Sequence, residues 1–190
     1  MAKVRKNIVV QGLSGLLGDQ LVLKHDKAGR TIVSVKPTFD ANRVFSEGQK
    51  DVQENFRDAA AYAKDAKGDA VYVNLAEGTP KSAYNVALAD WFHAPEIPEL
   101  DASAWHGQAG QVIRIKATDD VQVTQVNVGI TDGAGAVLEQ GAATRAEGRW
   151  WSYTTTAAAP EGPRVVATAR DLPGHIAEFH WGEPKAAKEG

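Results

Sequence analysis

Hydrophobic positions change their spacing about halfway along the chain. Up to Phe92 they recur mainly at helical intervals, interrupted by glycine turns and short alternating runs. Beyond Leu100 they alternate with polar residues in runs separated by turns. From Arg30 to Lys36, Ile32, Ser34 and Lys36 alternate with Thr31, Val33 and Val35, which predicts a strand. Residues 20–24 predict its hairpin partner across the turn Asp26-Lys27-Ala28-Gly29. Asn7 to Val10 predicts another short strand, and Gly12, Gly15 and Gly18 give the backbone between them freedom to turn sharply. A lone hairpin is marginal in water, so this one needs a helix, further strands or a neighbouring subunit to cover it.

Ser46-Glu47-Gly48-Gln49 carries a capping-box pattern. The helix it starts places Val52, Phe56, Ala59, Ala60 and Ala63 on one face, with Asp51, Glu54, Arg57, Asp58 and Asp65 mostly elsewhere, and Gly68 ends it. Residues 70–76 suit either a strand or a helix; we read a short helix, with Asp69 placed to cap it. Thr79-Pro80 reads as the start of a third helix, with Ala83, Val86, Ala87 and Trp91 on one side. Pro95 disfavours helix at Ala94, so this helix stops near His93. Tyr84, Trp91 and Phe92 are then the candidate seam between the two halves, or else core of the first half alone.

After Pro95 and Pro98 the predicted strands are Gln111–Ala117, Val121–Thr131, Ala136–Gln140, Arg149–Thr156, Pro163–Arg170 and Ile176–Trp181. Val126, Val128 and Ile130 alternate with Asn127, Gly129 and Thr131, the mark of a sheet with one buried face. Trp151 and Tyr153 share one side of their strand and Trp150 and Ser152 the other, so one indole is core and its neighbour is outside. The fold class is α+β: a hairpin-and-helix domain over 1–93, a Pro-rich linker over 94–100, a β-sandwich of the immunoglobulin type over 101–182, and a frayed tail over 183–190.

Composition narrows function mainly by exclusion. The 190 residues are 43% hydrophobic, enough for a real core, and the net charge of −3 favours neither nucleic acid nor an anionic membrane. The absence of cysteine removes disulfides, thiolate metal sites and thiol nucleophiles. The basic start Met1-Ala2-Lys3-Val4-Arg5-Lys6 is followed by an apolar run too broken for a signal peptide, and no stretch is long enough to span a membrane. Cytoplasmic residence is the default expectation, with export by another route or association with a virion left open.

No motif carries a reaction. The glycines at 12, 15 and 18 lack phosphate-loop spacing. His25, His93, His106, His175 and His180 form no metal-ligand motif, although His93 and His106 flank the linker near Asp90. Asp119-Asp120 with Asp132 or Asp171 offers a calcium site between strand ends, but such carboxylates more often cap turns. Ser14, Ser34, Ser46, Ser82, Ser103 and Ser152 all lack a nucleophile elbow. Trp105, Trp150, Trp151 and Trp181 could make a platform for sugars, but in a sandwich tryptophans more often fill core and seam. We expect no catalytic residue, no cofactor and no metal.

Two resemblances add to this. Residues from about 96 to 181 resemble a bacterial immunoglobulin-like domain, through Ala117-Thr118-Asp119-Asp120 with Val123, the valine-rich strand, Trp151 with Tyr153, and Ala167, Ala169 and Asp171-Leu172-Pro173-Gly174-His175. In that family the last turn usually reads Asp-x-x-Gly-Asn, and His175 departs from it. The first half is similar to a widespread group of bacterial and phage-associated proteins, through Gly15 and Gly18, Ser46 to Gln49, Phe56, and Ser82-Ala83-Tyr84-Asn85. Neither resemblance brings a catalytic residue; by analogy immunoglobulin-like modules imply binding, adhesion or assembly. The expected function is a non-enzymatic structural protein that assembles with itself into an oligomer or filament by strand pairing through Ile8, Val10, Leu21, Leu23, Ile32, Val33 and Val35. The other expectation is a binding module for a glycan or a protein, contacted by the sandwich loops or Trp150.

Overall fold

Among the described residues, four short strands open the chain: β1 (Ala2–Val4), β2 (Gly15–Leu17), β3 (Leu21–His25) and β4 (Thr31–Val35). They form one antiparallel sheet in the order β1-β4-β3-β2. The structure is a computed structural model, and it describes residues 2–4, 13–26, 28–38, 43–159 and 162–182. The strand expected over 7–10, with Ile8 and Val10, and the tail 183–190 lie outside the described residues.

The predicted hairpin is present as β3 and β4, with Leu21 opposite Val35 and Leu23 opposite Val33. Its turn is held by Asp26, whose Oδ1 accepts the amides of Ala28 at 3.0 Å and Arg30 at 2.9 Å. These bonds, the Arg30 amide foremost, hold the Asp26 carboxyl below its ordinary range. The glycine stretch read as pure turn contains β2. Gly18 (φ 57°) and Asp19 (φ 59°) both take left-handed backbone, which reverses the chain tightly enough to set Leu17 opposite Leu21.

Helix α1 (Glu47–Ala66) starts at the predicted capping box: Gln49 N donates to Ser46 Oγ at 3.4 Å and Ser46 N to Gln49 Oε1 at 3.2 Å. Its apolar face divides. Ala59, Ala63 and Ala66 are buried, while Val52 is 70% and Phe56 52% exposed. Residues 70–76 form the short helix α2 (Ala70–Ala76), with Asp69 at the N-cap position but making no capping bond through its side chain. Tyr72 is fully buried, and its hydroxyl lies 2.6 Å from that of Tyr62 on α1.

Helix α3 (Ala83–Trp91) starts later than Thr79-Pro80 predicts. Thr79 Oγ1 donates to Ala76 O at 2.9 Å and accepts from Lys81 N, which fixes a turn at the end of α2. Ser82 caps α3 by accepting from Asn85 N at 3.2 Å. The chain divides within α3 into two units, Met1–Ala87 and Leu88–Gly190.

The second unit contains β5 (Glu96–Asp101), β6 (Val112–Thr118), β7 (Gln125–Thr131), β8 (Val137–Ala142), β9 (Thr144–Arg145), β10 (Trp150–Thr154), β11 (Arg164–Arg170) and β12 (Ile176–Trp181). They form two antiparallel sheets, β5-β6-β10-β9 and β12-β11-β7-β8. The stretch expected as a linker, 94–100, is largely β5. Ile97 and Leu100 turn inward and are each 8% exposed, which ties it to β6 as an edge strand. The strand expected from Val121 begins at Gln125, because Asp119 Oδ2 accepts the amides of Val121 and Gln122 and makes a turn there.

One core joins the sheets. Ile113, Ile115, Trp151 and Tyr153 come from one, and Val126, Val128, Ile130, Val165, Ala167 and Ala169 from the other. Each fully buried valine or isoleucine contributes about 1.5–3 kcal/mol relative to exposure. Gly141 on β8 admits Tyr153 from the facing sheet, since a Cβ there would lie 3.0 Å from the ring.

Candidate functional site

The N-terminal sheet holds most of the residues expected to mediate self-association. Leu23 is buried at 3% exposure. Leu21, Ile32 and Val33 are half-buried, and Val35 is 75% exposed. Register places Leu17, Leu21, Leu23, Val33 and Val35 on one face and Leu16, Val22 and Ile32 on the other. Leu16 (55% exposed) and Leu17 (52%) were not among the expected contacts, because a glycine-punctuated dileucine gives no period from which to read a strand. Neither hairpin edge is bare: β2 pairs with β3, and β1 pairs with β4. The outer strands, among the described residues, are the three-residue β1 and β2.

The expected seam residues are spread along α3 and beyond it. Tyr84 is half-buried in the first unit and Phe92 is 46% exposed in the second. Trp91 meets the ring of His175 edge-on, at 5.3 Å between centroids and 80° between planes. His175 belongs to the turn joining β11 to β12. Asp171, its side chain wholly buried, accepts the amides of Gly174 and His175 at 2.6 Å each through Oδ1, and faces His175 Nδ1 at 2.9 Å through Oδ2. Histidine fits this turn because its Nδ1 reaches the buried carboxylate.

Three of the four aspartates weighed for calcium hold turns. Asp119 caps the approach to β7, Asp132 Oδ1 accepts from Ala134 and Ala136, and Asp171 holds the last turn. Asp120 instead faces His93 Nδ1 at 2.8 Å, across a cleft of about 590 Å³ that also touches Glu96 and Arg149. Among the described residues no group of three or more histidines, aspartates and glutamates is placed to hold a metal ion. The backbone amide of His106 donates to Gln111 Oε1 at 2.7 Å.

The tryptophans do not form one platform. Trp151 and Trp105 are buried, and Trp105 packs on Trp181 with centroids 6.0 Å apart. Trp150 stands on the outer side of its sheet, with the Arg114 guanidinium 4.7 Å and Lys116 Nζ 5.7 Å from its centroid. Lys116 also lies 3.8 Å from Glu99, and Arg114 helps hold the Asp101 carboxyl low, after its bonds from Ser103.

On the outer side of the other sheet, side chains from β7, β8 and β11 leave a trough of about 450 Å³. It contains Asn127, Gly129, Gln140, Ala142, Val166 and Thr168. Strand alternation identified Asn127 and Gly129 as outward-facing, but could not show that Gln140, Ala142, Val166 and Thr168 from two other strands join them.

These features define a mixed α+β protein whose larger part is a pair of sandwich-like antiparallel sheets. No helix among the described residues is long and apolar enough to cross a membrane. No family model and no curated protein matches the chain. Solved structures align with about half of it. CopC from Methylosinus trichosporium OB3b shares 18% identity over 46% of this chain and 88% of that chain, with a TM-score of 0.35. An engineered protein shares 18% over 52% of this chain and 25% of that one, also with a TM-score of 0.35. A conjugative transposon lipoprotein from Bacteroides eggerthii DSM 20697 shares 15% over 47% and 95%, with a TM-score of 0.24. Likenesses this weak carry no functional argument.

Proposed function

We propose that the protein is a non-enzymatic structural protein that assembles with itself, through its N-terminal sheet, into an oligomer or filament. The observation that carries the reading is a small sheet whose aliphatic side chains remain in water: Leu16, Leu17 and Val35 are 55%, 52% and 75% exposed. The strand directions allow the sheet to continue from copy to copy. β1 opposes β4, β4 opposes β3 and β3 opposes β2, so β2 of one copy and β1 of the next run antiparallel when both copies share one orientation. Such a contact joins two different edges, does not close on itself, and grows as a filament.

The C-terminal unit, in this reading, is an immunoglobulin-like module carried by the assembly. The order β5-β6-β10-β9 facing β12-β11-β7-β8 supports this, because it corresponds to A-B-E-D facing G-F-C with an added C′ strand. Light scattering and negative-stain microscopy at neutral pH test the assembly. We expect large species that disappear when residues 1–36 are deleted while the sandwich stays folded. A clean monomer of the full chain at high concentration ends the proposal. A second reading, a binding module, is favoured by Trp150 with Arg114 and Lys116, since tryptophan and arginine dominate many protein interfaces.

A further inference from the structure

We propose that the outer face of the β12-β11-β7-β8 sheet binds a short neutral glycan, seated over Gly129. This site is independent of the assembly reading. The trough of about 450 Å³ is in the size range of small-molecule sites. Register builds it in two rows: Gly129 lies between Gln140 and Val166, and Asn127 between Ala142 and Thr168.

Gly129 is the observation that singles the place out. It sits inside β7, which is paired on both sides, and a glycine there weakens a strand. The fold does not require it. Its φ is not in the left-handed region, and an added Cβ would meet only Val166 O, at 4.0 Å, an ordinary contact. Gly141 differs, because a Cβ there would press on Tyr153. What the missing side chain of Gly129 leaves open is space on the solvent side. Glycine within a strand often marks a place where a ligand approaches closely.

The lining indicates the ligand's chemistry. All of it lies among the described residues, and it carries no charged side chain. The carboxamides of Asn127 and Gln140 and the hydroxyl of Thr168 both donate and accept, as recognition of sugar hydroxyls requires. Gln125 Nε2 donates to Asn127 Oδ1 at 3.0 Å and fixes that carboxamide's orientation. Val166 and Ala142 offer apolar surface to the C–H face of a sugar ring. A peptide strand fits less well: the backbones of β7 and β11 are already paired on both sides, so none can add to the sheet over Gly129. With no aromatic ring in the lining to stack on a sugar, binding is weak.

Saturation-transfer NMR tests the proposal on the full chain, whatever its state of assembly. The probes are cellotetraose, maltotetraose and chitotetraose, with tetragalacturonate as the charged control. We expect transfer to at least one neutral probe. Gly129→Leu should weaken it at least about tenfold and Asn127→Ala about fivefold, while Thr154→Ala at an exposed position of the other sheet leaves it unchanged. Thermal unfolding shows whether each variant is folded, and Thr168→Val replaces Gly129→Leu if that variant is not. No transfer to any neutral probe, transfer that survives these trough substitutions, or equally tight binding of the charged control overturns the proposal.

Discussion

Replacing Asp171 by alanine should destabilise the C-terminal unit more than any nearby surface substitution. The carboxylate is wholly buried, and three bonds depend on it: the amides of Gly174 and His175, each at 2.6 Å, and His175 Nδ1 at 2.9 Å. Hydrogen bonds to a charged group contribute about 1.5–3 kcal/mol each, but the native carboxylate also gives up hydration on burial. Counting two amides that lose their acceptor, at about 1.5 kcal/mol each, the net loss is about 3 kcal/mol. For a unit of this size that lowers the midpoint of thermal unfolding by about 12–20 °C. Urea denaturation followed by tryptophan fluorescence measures it, and Trp91, edge-on to His175, places a reporter at the turn. Asp171→Asn keeps an acceptor oxygen for the two amides and should cost about half as much. His175→Asn removes one contact, retains a side-chain donor, and should cost under about 1 kcal/mol. An alanine variant within about 0.5 kcal/mol of the native protein would refute the reasoning, since the turn would then not depend on its carboxylate.

Two glycines should respond in opposite directions. Gly141→Ala forces a Cβ to 3.0 Å from the buried Tyr153 ring and should destabilise by about 1–3 kcal/mol, whereas Gly129→Ala meets nothing closer than 4.0 Å and should stabilise by about 0.5 kcal/mol, both measured by urea denaturation. Burial, with Glu139 adding to it, pushes the Tyr153 phenol above its ordinary 10.0. The folded state therefore holds that proton more tightly: the contribution is complete below pH 10, falls as pH rises above it, and should disappear from the pH dependence of stability in Tyr153→Phe. Leu16→Lys with Val35→Lys should reduce the assembled mass seen by light scattering while leaving sandwich stability within about 0.5 kcal/mol.

Local chemistry made much of this protein readable from its sequence. The Ser46–Gln49 capping box, the alternation of Val126, Val128 and Ile130, and the contrast between Trp150 and Trp151 each depend on residues close in the chain, whose side-chain period fixes what they can form. The β3–β4 hairpin is equally local, because its turn brings its strands together. Other features required the tertiary structure. Leu16 and Leu17 carry no strand period; pairing with β3 makes them β2. The Pro-rich stretch reads as a spacer until Ile97 and Leu100 find the core. Gly129 and Gly141 look alike in sequence, yet one faces solvent and the other Tyr153. Strand neighbours and the partner across the core are non-local choices, made by whichever arrangement buries the most apolar surface with every backbone group paired, and no short window of sequence contains them.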